Sequence, residues 1–265
     1  MLALFANVIA LTLYTAAAFF FSRKFARQES ITRAGLRRSA ALALVFHGLG
    51  VFSLSFGANG FLLSVTVAGS FIFWVINTIV LISSFKKELH NLFLLLFPLS
   101  ALVIASSIFF NSPETQSSLS YSLAPHVVLS ILAYSLMTIA SLQALLLAYQ
   151  NHALKHKNLS NMRLLPPLQT MESLLFELLW VGEILLSFAI ISGFWFLEDM
   201  FAQHLVHKTV FALTAWFIYA LLLWGRFKMG WRGNKAIRWA LAGFICLMLA
   251  YFGSRLVLEV ILHRV

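Results

Sequence analysis

The chain has 265 residues, 61% of them hydrophobic and only 11% charged, with a formal net charge of +10. That composition lies far outside the range of soluble globular domains. The positive excess sits between the apolar runs, as membrane topology requires, so it calls for no nucleic-acid partner.

Eight apolar runs follow one another at 2–21, 39–57, 61–85, 92–110, 126–149, 177–197, 208–225 and 238–262. Each has about 18 residues or more, enough for a helix to cross ~30 Å of hydrocarbon. They predict an all-α, polytopic membrane bundle of about eight transmembrane helices, forming a single integral domain over 1–265. The polar stretches 22–38, 111–125 and 150–170 are too short to hold a separate core. Residues 1–21 lack a basic leader region and a small-residue cleavage site, so they read as a retained first helix. The glycine-containing stretches GLG at 48–50 and GANG at 57–60 read as helix packing or turns.

Lysine and arginine placement sets the expected orientation. Arg23, Lys24, Arg27, Arg33, Arg37 and Arg38 lie between the first two runs, and Lys86 and Lys87 between the third and fourth. Lys155, Lys157 and Arg163 lie between the fifth and sixth, and Arg226, Lys228, Arg232, Lys235 and Arg238 between the seventh and eighth. Eight spans put all four basic segments on one face, which the positive-inside rule makes cytoplasmic, with both termini outside.

Cys246, the single cysteine, excludes an internal disulfide and a CxxC redox pair, and no CxxCH covalent haem motif is present. Histidines are more informative. His126 opens the fifth run, His207 opens the seventh with His204 just before it, and His263 closes the eighth, all at the expected outer face. Imidazole is a good ligand of haem iron, and two facing histidines can clamp it. Taken singly, each is equally an interfacial polar residue. His47 lies near the middle of the second run, while His90, His152 and His156 lie among basic loop residues.

Intramembrane charges add to the pattern. Arg255, Glu259 and His263 are spaced i, i+4, i+8 and share one helix face. Arg255 would lie about 12 Å below His263 at ~1.5 Å per residue. Such a row either lines a polar cavity, where Arg255 reaches an acid such as a haem propionate, or satisfies itself through an Arg255–Glu259 pair. Glu183, inside the sixth run, is expected to pair with Arg255 or with the basic cytoplasmic cluster. The 26 Phe, 7 Trp and 6 Tyr suit interfacial belts and also a porphyrin-lining surface. No HExxH, GxSxG, P-loop or glycine-rich nucleotide motif occurs, so the expectation is a protein that is not an enzyme.

The C-terminal half carries a family resemblance. It rests on PPLQTMESLLFELLWVGEILLSFAIISGFWF at 166–196 and on the Lys208–Thr209…Leu213…Trp216…Tyr219–Ala220 core. The G-W-R-G loop at 230–233, the G-F pair at 243–244, Y-F-G at 251–253 and the His126-led segment 126–150 complete it. Over roughly 120–265 the chain resembles the cytochrome c assembly family, which includes the CcsA, CcmC and HemX-like membrane proteins. The likeness implies a multi-pass protein of the bacterial inner membrane with a haem-handling module at 120–265. It also implies an outer, non-covalent b-type haem site with His126 and His263 as the iron ligands.

Two departures qualify the likeness. The family's haem exporters carry a tryptophan-rich segment before the Lys-Thr element, where this chain reads FWFLEDMFAQHLVHKT and places His207. The larger assembly members have a histidine in the seventh span, where this chain has Trp224 in LLLWGR, so His47 is left as the relic of a transmembrane haem pair. The pattern is most similar to the smaller HemX-like and YpjD-like branch. Two functions follow from it: a protein that holds or passes haem, with cytochrome biogenesis partners, or a membrane regulator or scaffold acting on a partner in haem synthesis without haem transfer. A solute transporter using Glu183, Arg255 and Glu259 ranks below both.

Overall fold

The computed structural model describes residues 2–27, 29–57, 60–87, 89–110, 117–118, 123–156, 165–196 and 206–250. Among these, eight α-helices follow the expected runs in order: α1 (Leu2–Ala26), α2 (Arg33–Ser55), α3 (Val65–Ser83), α4 (Phe93–Phe109), α5 (Ala124–Lys155), α6 (Leu168–Phe196), α7 (Val206–Met229) and α8 (Gly233–Met248). Six are long and apolar enough to cross a membrane, while α4 is a shorter apolar helix. Large apolar side chains such as Phe5, Phe19, Leu102, Phe188, Phe217 and Ile245 are more than half exposed. In water that surface would aggregate; in a bilayer it is the lipid-facing surface.

The helices overrun the apolar runs that predict them. α5 continues to Lys155 and α6 begins at Leu168, nine residues before the expected 177. Backbone bonding within the helix continues whether or not the side chains are apolar. The third helix departs the other way. Ser64 caps it by accepting a hydrogen bond from the Val67 amide, so α3 starts at Val65 and not at 61. Residues 60–63 instead form β2, which pairs antiparallel with β1 (Phe56–Gly57) and β3 (Ser117–Ser118). These few residues are the strand content of the described chain.

The chain clusters into two compact units. The first comprises Met1–Tyr121 with Ala153–Pro167, and its core is α1 to α4. Tyr14 of α1, His47 of α2 and Ser70 of α3 form a buried hydrogen-bonded row. Trp74 Nε1 donates to the Leu44 carbonyl at 3.1 Å, and the Asn77 amide donates to Ser100 of α4 at 2.8 Å. Arg37, at the start of α2, donates to the Ser84 carbonyl and lies 4.6 Å from the Phe85 ring at the end of α3. The arginine-rich start of α2 and the lysine-bearing turn after α3 therefore share one end of this unit. The second unit comprises Ser122–His152 and Leu168–Val265, with α5 to α8 as its described helices. The haem-handling module expected at 120–265 is divided between the two units, since Ala153–Pro167 belongs to the first.

Candidate functional site

Within the second unit, polar contacts bind the helices at two ends. At one end the start of α6 meets the loop between α7 and α8. Glu172, only 3% exposed, accepts from Arg226 Nη1 at 2.7 Å and from Arg232 Nε at 3.0 Å. The Arg226 guanidinium also lies 4.6 Å from the Phe176 ring and donates to the Trp231 carbonyl. The G-W-R-G loop supplies the turn. Gly230 has φ +66°, a left-handed conformation that commonly ends helices, and the Trp231 amide then bonds the Gly225 carbonyl. A Cβ at Gly225 would collide with the Trp231 indole, and Lys235 sits 3.7 Å over that ring. Asn151, near the end of α5, donates to Asn234 at the start of α8. The basic loop is thus a folded structure organised on one buried carboxylate, and one carboxylate between two arginines forms charge-assisted bonds stronger than neutral ones.

His126 stands at the other end of the unit, where α5 begins and α6 finishes. Its Nδ1 lies 2.9 Å from the Ala189 carbonyl and 3.1 Å from Ser192 Oγ. A carbonyl only accepts, so Nδ1 carries the hydrogen, which it shares with Ser192 Oγ; that hydroxyl's own hydrogen goes to the same carbonyl. The neutral ring is thereby held as the Nδ1–H tautomer with a lone pair on Nε2, and Nε2 makes no hydrogen bond among the described residues. Metal-ligating histidines characteristically donate their other ring N–H to a carbonyl or carboxylate in this way.

His47 has a different setting. It is fully buried, with Nδ1 3.4 Å from Tyr14 Oη and Nε2 3.0 Å from Ser70 Oγ. In a neutral imidazole one of those hydroxyls donates and the other accepts. Both ring nitrogens are engaged, and neither is open to iron in this arrangement. His207 is the second residue of α7, a backbone position at the same end of its helix as expected. Arg255, Glu259 and His263 lie outside the described residues, as does His204. Trp224 is half exposed on the outer surface of α7.

Of the two pairings open to Glu183, the one with Arg255 lies outside the described residues, and the one with the basic cluster is not made. The basic residues Arg226 and Arg232 bind Glu172, which the sequence reading did not single out, and Glu183 forms no ion pair or hydrogen bond among the described residues. The sequence carries a carboxylate in the first turns of α6 and arginines before and within the G-W-R-G loop, but nothing local joins them. The other motif residues turn out to join helices. Trp216 Nε1 donates to Ser187 of α6 at 2.8 Å, and Tyr219 is packed so closely on Gly243 of α8 that a Cβ there would meet its ring at 2.7 Å.

The second unit is thus a helical unit with a histidine of fixed tautomer at one end and a basic loop folded on a buried carboxylate at the other. The model of the family described as "Cytochrome C assembly protein" matches residues 36–262, and the chain belongs to that family. The match extends into the first unit, well before the residue 120 at which the motifs become legible. The chain is similar to the inner membrane protein YpjD of Escherichia coli K12, with 32% identity covering 84% of this chain and 86% of the relative. It is similar over shorter stretches to the cytochrome c biogenesis protein CcsA of Chlamydomonas reinhardtii, at 26% identity over 51% of this chain and 38% of that one. The corresponding protein of Prochlorococcus marinus MIT 9303 is 30% identical over 33% of this chain and 28% of the relative. No solved structure matches. The chain is a multi-pass protein of the bacterial inner membrane, with a role of the cytochrome c biogenesis type.

Proposed function

We propose that the protein holds a non-covalent haem at the outer face of the membrane for storage or transfer, and that it is not an enzyme. The observation that supports this most directly is the His126 geometry: Nδ1–H is committed to the Ala189 carbonyl, and Nε2 is left for iron. Haem would supply an iron with two axial positions, and His126 takes one of them. The family resemblance implies His263 for the second position; the Arg255–Glu259–His263 row offers Arg255 to a propionate, and His207, where the family's tryptophan-rich segment is missing, is an alternative ligand. Outer placement follows from the positive-inside rule, because His126 lies at the end of the second unit opposite Arg226, Lys228 and Arg232.

Absorption spectroscopy of the purified protein reconstituted with haem tests the proposal. The wild type is expected to give a Soret band, and His126→Ala and His263→Ala each to lose or shift it. A protein that stays colourless with haem in excess overturns the proposal. An unchanged spectrum in the double variant removes both ligands. The ordered loop around Glu172 supports a second reading, a scaffold presenting its basic end to a partner in haem synthesis. A retained cellular phenotype in the double His variant, lost instead when Arg232 and Lys235 are neutralised, would favour it.

A further inference from the structure

The interior of the second unit contains a polar centre that haem ligation does not use. Glu183 on α6 is 7% exposed, and neither carboxyl oxygen has a hydrogen-bond partner among the described residues. Tyr219 on α7 is fully buried, and its hydroxyl lies beside Ser141 of α5 without a hydrogen bond of good geometry. Ser141 instead donates to the Met137 carbonyl. Among the described residues, the ionisable groups near the Tyr219 hydroxyl are Tyr134 of α5, Glu183 of α6 and Cys246 of α8. No lysine or arginine of the described residues pairs with Glu183.

Among the described residues nothing satisfies this carboxyl, and Arg255 lies outside them. Buried polar atoms are almost always satisfied, and those that are not mark a missing water, ion or proton. A bare carboxylate inside a membrane unit is among the costliest groups to bury, and a proton removes that cost with the smallest ligand available. The centre is also held rigidly. Gly243 of α8 lets the Tyr219 ring pack tightly, and Gly182, beside Glu183, abuts Met137 of α5 at about the closest approach a side chain would tolerate. We propose that Glu183, with Tyr219 as a neighbour, is an intramembrane proton-binding site at the centre of the second unit.

Infrared spectroscopy of the purified protein in lipid nanodiscs tests this at neutral pH, with and without haem. The wild type should show the C=O stretch of a protonated carboxyl, shifted down in deuterated buffer and lost in Glu183→Gln. Tyr219→Phe should keep the band and move its frequency. A wild-type spectrum without the band, or one that Glu183→Gln leaves unchanged, overturns the site. A carboxylate stretch that responds to exchanging sodium for potassium also overturns it, in favour of a metal cation. A band whose frequency Tyr219→Phe does not move removes Tyr219 as a neighbour of the carboxyl. The apo measurement separates this result from any failure of haem binding.

Discussion

His47 and His126 are the same side chain in two different states of engagement. His47 is fully buried, and each of its ring nitrogens is hydrogen-bonded to a neighbouring hydroxyl. His126 is half-buried and uses only Nδ1. The first histidine ties three helices of its unit together and has nothing left to give. The second has one nitrogen fixed and leaves the other without a hydrogen bond among the described residues. A histidine in a membrane helix is therefore a ligand or a structural fastener according to how many of its nitrogens the protein has already claimed.

That contrast predicts opposite phenotypes, and the largest effect belongs to His47. His47→Ala removes a buried ring and strands the Tyr14 and Ser70 hydroxyls, which should cost roughly 3–5 kcal/mol from the cavity and the lost bonds together. His126→Ala, at a half-buried helix end, should cost about 1 kcal/mol. Thermal unfolding in detergent measures both. The folded fraction of His47→Ala should keep the wild-type haem spectrum. If the two variants lose equal stability, or if His47→Ala abolishes the Soret band, the division between fastener and ligand fails.

Glu172 gives the next largest effect and extends the contrast to the basic end of the second unit. Glu172→Gln leaves Arg226 and Arg232 without their shared negative partner but keeps the shape. Because Arg232 is well exposed and Arg226 partly so, the loss should be about 2 kcal/mol and not the full cost of breaking a buried pair. Limited proteolysis in the loop at 230–232 should accelerate with it, while haem binding at the far end stays unchanged. Haem loss in this variant would mean that the two ends are coupled.

These contrasts differ in how far the sequence revealed them. All eight helices were legible because lipid demands continuous apolar runs, and His126 was legible as a polar residue at the head of one. Helix ends were less so. Hydropathy ends where Glu172 and Glu177 interrupt it, but backbone bonding does not, so α6 starts at Leu168. The short β1–β2–β3 pairing was invisible, since strands of two to four residues carry no period. The Glu172 clamp joins residues 54 and 60 positions apart and has no local signature. Neither the tautomer of His126 nor the saturation of His47 can be read from spacing, because both depend on a neighbour's carbonyl or hydroxyl in another helix.

The finest test concerns what fixes the His126 ring. Two acceptors share its Nδ1–H, the Ala189 carbonyl at 2.9 Å and Ser192 Oγ at 3.1 Å. Only the second can be removed by substitution. Loss of a histidine's outer partner typically weakens metal binding by about 10–100-fold. Ser192→Ala keeps the carbonyl and frees it from the serine's own hydrogen bond, so haem affinity should fall less than about tenfold with the Soret position unchanged. Haem titration against the wild type measures this. A loss as deep as that of His126→Ala would make the serine, not the helix backbone, the group that orients the ligand. The tautomer would then depend on a rotatable hydroxyl that can donate or accept, and Nε2 would no longer always be the open nitrogen.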